Sequence, residues 1–224
     1  QGWHEAPYCP CPAGLDEVAA RLQWIEPGGI ALVPGLSCEE RGVPDVMRGE
    51  ETQVFGALDL LGLDHARLVL PGTHSKWVQV ANRSVVGFRT FMTGELYALL
   101  RQHSILARTL PSDDGPLDEA AFLRGVRHAR DAGSLLAAAF SVRTLGLFER
   151  MQSAAQPSYL SGLVIGEELR AQGQLPQQLV LVGSATLTER YTLALAALGV
   201  SARTLGSEAS WRGLWTLATT LESA

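Results

Sequence analysis

The sequence predicts an α/β fold, and three features of its 224 residues support this prediction. Apolar residues make up 46% of the chain, which excludes a disordered protein and is enough for a sizeable buried core. Three short segments with alternating apolar residues, at 67–70, 76–80 and 85–90, predict strands joined by tight turns. Residues 178–222 then alternate strand and helix twice, which is typical of a parallel or mixed sheet with covered faces.

The first third of the chain is predicted from its turn residues and its helical spacing. Residues 1–14 are rich in Pro and Gly and predict an ordered loop. Residues 16–24 have helical spacing with acidic residues in the first turn, so we expect a helix there. Residues 29–34 are an apolar run between Gly and Pro, which predicts a buried strand. Residues 50–61 predict a helix because their apolar side chains fall on one face.

The middle of the chain is predicted to be mainly helical. Residues 94–102 start one helix, and residues 118–132 predict another with apolar and basic residues on different faces. Residues 134–148 are apolar nearly all round and predict a buried helix, whereas residues 159–172 are amphipathic and end before a capping Gly. These last two helices are candidates for a homodimer face, with a place in the core as the default interpretation. The final predicted elements are strands 178–182 and 200–205 and helices 186–198 and 208–222.

Charge, cysteine content and missing motifs exclude several function classes. The net charge is −5, so the basic surplus of a nucleic-acid-binding protein is missing. No apolar run approaches the roughly 20 residues that span a bilayer. Cys9, Cys11 and Cys38 lack a second ligand pair at zinc-site spacing, so we expect reduced thiols and no metal ligand set. The sequence also lacks the motifs of P-loop NTPases, Rossmann dehydrogenases and serine hydrolases of the usual kind.

The first segment that could carry chemistry is Arg48-Gly49-Glu50-Glu51, at the start of a predicted helix. Paired carboxylates there are stabilised by the partial positive charge of the helix N-terminus. One interpretation is a plain acidic first turn. The other is a carboxylate base that points into a cleft, with Arg48 beside it to bind an anion.

The second segment is Pro71-Gly72-Thr73-His74-Ser75-Lys76, which joins two predicted strands. Gly allows the backbone to approach a phosphate closely, and the four following side chains supply hydrogen-bond donors. A polar hairpin loop is the alternative, although a hairpin requires fewer such residues.

The third segment is Gly183-Ser184-Ala185-Thr186, where a predicted buried strand turns into a helix. Ligands of open α/β sheets lie at this carboxyl edge, and the N–H groups of the new helix can bind a phosphate or the edge of a purine. A simple N-cap by Ser or Thr is the alternative.

The order and spacing of these segments resemble the layout of actin-like sugar kinases. In those proteins an acidic helix start carries the base, a Gly-Thr turn is the second phosphate loop, and a late Gly-rich turn holds adenosine. Longer segments are similar to the 2-keto-3-deoxygalactonate kinase (2-dehydro-3-deoxygalactonokinase) family, and the similarity covers essentially the whole chain. These segments are GWHEAPYCPCPAGL, VMRGEETQVFGA, LPGTHSKWV, FRTFMTGELYALL, SYLSGLVIGEE and LVGSATLTERY.

The resemblance implies an actin-like (ribonuclease H-like) ATPase fold with two lobes around a nucleotide cleft. Residues 1–48 would be the remainder of the N-terminal substrate lobe, and residues 49–224 the C-terminal nucleotide-binding lobe. Family members open with a DxGTS-like or DWGS-like first phosphate loop whose Asp helps to place Mg²⁺, and residues 1–224 contain no such segment. We therefore expect the first lobe to be incomplete in this chain because its start was removed. A catalytically reduced homologue is the alternative.

The resemblance also implies a cytoplasmic enzyme of galactonate catabolism. It would transfer the γ-phosphoryl group of ATP to the C6 hydroxyl of 2-keto-3-deoxygalactonate with Mg²⁺. Its partners would be the sugar acid and ATP, with neither nucleic acid nor membrane. A kinase for another sugar or sugar acid, and a non-catalytic nucleotide-binding homologue, stay open as alternatives.

Roles for individual residues follow from the resemblance. Glu50 would be the catalytic base, with the register between it and Glu51 left open. The residues expected to bind ATP are Gly72, Thr73, His74, Lys76, Gly183, Ser184 and Thr186. The residues expected to bind the substrate are Trp3, Glu5, Arg48 and Arg89.

Overall fold

The structure is a computed structural model that describes residues 6–222. Its strands are β1 (Cys9–Pro10), β2 (Gln23–Glu26), β3 (Ile30–Leu32), β4 (Leu36–Glu40), β5 (Val43–Met47), β6 (Ala66–Leu70), β7 (Ser75–Ala81), β8 (Ser84–Phe91), β9 (Gln178–Val182) and β10 (Ser201–Leu205). Its α-helices are α1 (Leu15–Ala19), α2 (Glu50–Leu61), α3 (Thr93–His103), α4 (Glu119–Ala132), α5 (Leu135–Ala138), α6 (Ser141–Leu147), α7 (Gln156–Ala171), α8 (Ala185–Ala196) and α9 (Glu208–Glu222). Short 3-10 turns occupy Ile105–Arg108 and Ser153–Ala155.

A five-stranded mixed sheet organises the molecule, with strand order β10-β9-β6-β7-β8. Strands β6, β7 and β8 form an antiparallel meander, whereas β6, β9 and β10 run parallel. Leu68 of β6 is opposite Val180 of β9. The carboxyl ends of these two neighbouring strands therefore lie at the same edge of the sheet, where α/β proteins bind ligands.

Residues 6–48 pack against this sheet. Strands β1, β4 and β5 form a small sheet, and β2 pairs with β3 in a hairpin. The free edge of β8 is covered, because the backbone N–H of Thr90 donates to Asp45 Oδ2 at 2.7 Å and Ala13 bridges to Val85. Leu36 of β4 belongs to the same buried core as the residues of α2, β6 and β7. The proposed division between residues 48 and 49 therefore crosses a continuous core, and it stays a prediction.

Glycines allow two pairs of helices to pack with their backbones in contact. A Cβ atom on Gly125 of α4 would overlap the carbonyl oxygen of Tyr159 on α7. A Cβ atom on Gly56 of α2 would likewise overlap the carbonyl oxygen of Ala209 on α9. The packing of α2 against α9 fixes the position of α2, whose first residues line the cleft described below. Among residues 6–222, no helix combines the length and the apolar character needed to cross a membrane.

The mixed α/β class is confirmed, but three local predictions are wrong. The helix predicted at 16–24 ends at Ala19, since the Pro-Gly-Gly turn after β2 lets that strand pair with β3. The strand predicted at 29–34 is this outer hairpin strand, and Ile30 is exposed. The helix predicted at 134–148 is divided into α5 and α6. It is also not buried all round, since Leu136 is 95% exposed and no element among residues 6–222 covers that face.

Candidate active site

A cleft of about 510 Å³ lies at the edge of the sheet where β6 and β9 end. Its walls come from three places in the chain, namely the start of α2, the loop after β6 and the turn after β9. These places are the three segments that the sequence singled out. The predicted residues that line this cleft are Arg48, Glu50, Gly72, Thr73, His74, Gly183 and Ser184.

The two adjacent glutamates at the start of α2 occupy different environments. Glu50 lines the cleft, and its Oε2 accepts a hydrogen bond from the backbone N–H of Arg48 at 2.9 Å. Glu51 is 1% exposed, and its Oε2 accepts from the N–H of Gly49 at 2.7 Å. Burial raises the pKa of Glu51 from 4.5 to about 7. Glu50 is therefore accessible to a ligand in the cleft, whereas Glu51 is buried and is not.

Arg48 is held at the rim of the cleft by two contacts. Its Nη2 donates to the carbonyl oxygen of Ala6 at 2.9 Å. Its guanidinium carbon also lies 4.6 Å from the centre of the Tyr8 ring, in a cation–π contact. These contacts orient a permanent positive charge beside Glu50, where it can bind an anionic group of a ligand.

The loop after β6 is supported by the first turn of α3. The N–H of Glu95 donates to the carbonyl oxygen of Thr73 at 3.0 Å, and the Glu95 carboxylate lies 2.6 Å from Nε2 of His74. A Cβ atom on Gly94 would come within 2.5 Å of the Gly72 carbonyl oxygen. A Cβ atom on Gly72 would meet only the His74 carbonyl oxygen, at 3.9 Å. Bare backbone and donor side chains therefore face the cleft.

The turn after β9 brings a helix N-terminus to the same cleft. The N–H of Gly183 donates to the Leu205 carbonyl at 3.0 Å, which fixes the turn before α8 begins. Ser184 makes no capping hydrogen bond, and the first turn of α8 has no acidic residue. The first N–H groups of a helix lack intrahelical partners and carry a partial positive charge. This end of the cleft therefore suits a phosphate.

A second, more apolar cavity of about 250 Å³ adjoins the cleft, and both are lined by Gly72 and Leu187. Thr186 lies here instead of in the first cleft. Val164 and Ile165 of α7 form part of its apolar wall, which suits the apolar faces of a ring.

Three further predicted site residues that the structure describes line neither the first cleft nor the second cavity. Lys76 is buried, and its Nζ donates to the carbonyl oxygen of Val46 at 2.8 Å and to Thr90 Oγ1 at 2.9 Å. Side chains alternate along β7, so this lysine points toward the small sheet and not toward the loop. Arg89 lines a separate groove of about 380 Å³ along β7 and β8. Glu51 is buried as described above. Trp3 and Glu5 lie outside the described residues.

Sequence reasoning missed several residues of the site. Gln53 lines the first cleft, and its position three residues after Glu50 is a helical spacing that could have indicated it. Tyr97, Asp114 and Arg190 line the second cavity. They come from three distant segments, so no local pattern in the sequence joins them.

A carboxylate, bare glycine backbone and a helix N-terminus meet at the carboxyl edge of this α/β sheet. This combination is typical of phosphoryl-transfer enzymes. The family model described as 2-keto-3-deoxy-galactonokinase matches residues 1–217. The chain belongs to this family, which confirms the family resemblance.

Curated relatives and a solved structure agree with this assignment. The chain is 39% identical to a "Probable 2-dehydro-3-deoxygalactonokinase" of Rhizobium meliloti strain 1021, over 97% of this chain and 76% of the relative. It is 33% identical to the 2-dehydro-3-deoxygalactonokinase of Escherichia coli strain K12, over 94% of this chain and 72% of the relative. A crystal structure of a Sinorhizobium meliloti protein named for the same kinase matches with a TM-score of 0.88 and 37% identity. That match covers 98% of this chain and 76% of the other.

Proposed function

We propose that this protein transfers the γ-phosphoryl group of ATP to the C6 hydroxyl of 2-keto-3-deoxygalactonate, in galactonate catabolism. The observation that carries the proposal is the meeting of three separate segments in one cleft, in a chain of this kinase family. The names of both curated relatives contain 2-dehydro-3-deoxygalactonokinase.

We further propose that the five-stranded sheet belongs to an actin-like (ribonuclease H-like) ATPase fold. The first three strands of this sheet, β6, β7 and β8, form a meander, and the last two, β9 and β10, are added in parallel beside β6. Numbered by their order in the chain, the five strands therefore lie in the sheet as 3-2-1-4-5. On this proposal residues 49–224 form the nucleotide-binding lobe, and residues 1–48 belong to the substrate lobe. The position of the cleft at the edge of the sheet supports this arrangement.

ATP would bind across both cavities. Its phosphates would contact Gly72, Thr73 and His74 and the N-terminus of α8, and its adenosine would pass Gly183, Ser184 and Thr186 to reach the apolar cavity. Among residues 6–222, no group of three or more His, Cys, Asp and Glu side chains could hold a metal ion. Mg²⁺ usually keeps few protein ligands and binds substrate phosphates, so the lining fits an ion that arrives with ATP. The ion would supply charge neutralisation at the phosphates.

Glu50 would act as the base, because the acceptor is an alcohol whose proton must leave as the new bond to phosphorus forms. It is the carboxylate at the cleft surface, and its bond to the Arg48 N–H fixes its direction. Arg48 would bind the carboxylate of the sugar acid. Glu51 would instead accept the hydrogen bond from the Gly49 N–H at the start of α2.

The test compares Glu50→Gln with Glu51→Gln as the matched control. Removing a general base typically lowers the rate by about 10²–10⁴-fold, so we expect that loss in kcat for Glu50→Gln with the affinity for ATP retained. Glu51→Gln should keep most of the turnover because its carboxyl is buried. Both variants are assayed by ADP release with Mg-ATP and 2-keto-3-deoxygalactonate. Full turnover in Glu50→Gln would remove this residue from the role of base.

A further inference from the structure

A buried carboxylate on α7, Glu168, has no place in the mechanism above. It is 2% exposed. Its Oε1 accepts hydrogen bonds from Ser75 Oγ at 2.8 Å and from Trp77 Nε1 at 2.6 Å. Its Oε2 accepts from Tyr191 OH at 2.6 Å and also from Thr93 Oγ1. All four donors are neutral groups.

This arrangement is costly for the fold. An ionised carboxylate that is taken out of water is stabilised best by a cation, and hydrogen bonds to neutral groups compensate for only part of the loss. Burial raises the pKa of Glu168, while its four hydrogen bonds act in the opposite direction. Apolar side chains in place of Glu168 and all four of its donors would avoid this cost, so the contacts themselves require an explanation.

The donors lie on both sides of the loop that faces the cleft. Ser75 directly follows His74, at the end of that loop. Thr93 directly precedes Gly94. A Cβ atom placed on Gly94 would lie only 2.5 Å from the Gly72 carbonyl oxygen, so this residue packs directly against the loop. Thr93 and Tyr191 also line the second cavity. Through these hydrogen bonds, Glu168 on α7 links Tyr191 of α8 to Ser75 at the end of the loop and to Thr93 beside Gly94.

We propose that Glu168 is a positioning residue for the nucleotide, because its carboxylate holds Ser75 and Thr93 so that the loop of residues 72–74 keeps its place at the cleft. It acts through these hydrogen bonds and does not touch the substrate. The inference rests on the proposed function, since it assigns Glu168 to the ATP side of that site.

The test compares Glu168→Ala, Glu168→Gln and the control Leu160→Ala. Glu168→Ala removes all four hydrogen bonds, and misplacement of the loop should raise the KM for ATP about tenfold or more. The KM for the sugar acid should change little. Glu168→Gln should restore the KM for ATP to within about threefold of the wild type, because its oxygen can accept from Ser75 and Trp77 while its amide donates to the two hydroxyls. Leu160 is fully buried on the same helix, and its truncation should lower the melting temperature without changing the KM for ATP.

Direct binding of ADP, measured by calorimetry, separates the outcomes. If Glu168→Ala does not fold, Ser75→Ala and Thr93→Val replace it, and each should weaken ADP binding by about threefold or more. The inference is overturned if these variants bind ADP and ATP as the wild type does, or if Leu160→Ala weakens binding equally. If the wild type is active and the variants bind ADP as it does, only the role of Glu168 is refuted. A wild type that neither binds ADP nor turns over removes the proposed function, and this inference with it.

Discussion

Replacing Glu51 by Gln should change how the stability of the protein depends on pH. The Glu51 side chain is 1% exposed, and burial is the main cause that raises its pKa. A Gln side chain has nearly the same shape, and its oxygen can still accept the hydrogen bond from Gly49. The substitution therefore removes a titrating charge and retains most of the packing.

The size of the effect follows from the raised pKa. The folded protein binds this proton more tightly than the unfolded chain, so the stability that it contributes is complete below pH 4.5 and is lost as the pH rises through about 7. At about 1.36 kcal/mol for each pH unit between these values, the loss is about 3 kcal/mol. Glu51→Gln should match the wild type near pH 4.5 and exceed its free energy of unfolding by about 3 kcal/mol at pH 8.

Urea unfolding at several pH values between 4.5 and 8, followed by tryptophan fluorescence, measures this difference. Glu168 also has a raised pKa and contributes to the slope of the wild type, but it is present in both proteins and cancels in the comparison. Val54→Ala, in the same helix, is the control that should lower stability equally at every pH. A constant difference between Glu51→Gln and the wild type would refute the assignment of a raised pKa to Glu51.

Three further substitutions test other parts of the structure. Gly94→Ala places a Cβ atom 2.5 Å from the Gly72 carbonyl oxygen, so it should displace the loop and raise the KM for ATP about tenfold in steady-state kinetics. Gly56→Ala forces a Cβ atom into the Ala209 carbonyl, and urea unfolding should show a loss of about 1–3 kcal/mol or more. Lys76→Met removes a buried cation that lies away from the cleft, so stability should fall while the KM for ATP stays near that of the wild type. A large rise in the KM for ATP in Lys76→Met would instead indicate that Lys76 contacts the phosphates.

The sequence predicted the five-stranded sheet well because each strand has its own local signal. The meander follows from period-two alternation and tight turns, and β9 and β10 follow from their alternation with helices. The apolar segment that became α5 and α6 was misjudged for a physical reason. An apolar side chain such as Phe148, which is 72% exposed, is buried only if another element covers it, and local sequence does not contain that information.

The candidate site was predicted in its main parts and not in its details. Gly-rich turns and an acidic helix start are short continuous signals. The two turns meet because β6 and β9 are paired in parallel. The direction of Lys76 depends on the register of β7, which a loop pattern does not determine. Glu168 lies about 90 residues beyond Ser75 and Trp77, so only the packing of α7 on the sheet reveals it.

The most direct test of the central claim is ADP release by the complete gene product with Mg-ATP and 2-keto-3-deoxygalactonate, compared with the gluconate epimer. The proposal predicts ADP release that requires the galactonate form and that falls by about 10²-fold or more in Glu50→Gln. Absence of ADP release with both sugar acids, in a protein that still binds ATP, would contradict the proposed function.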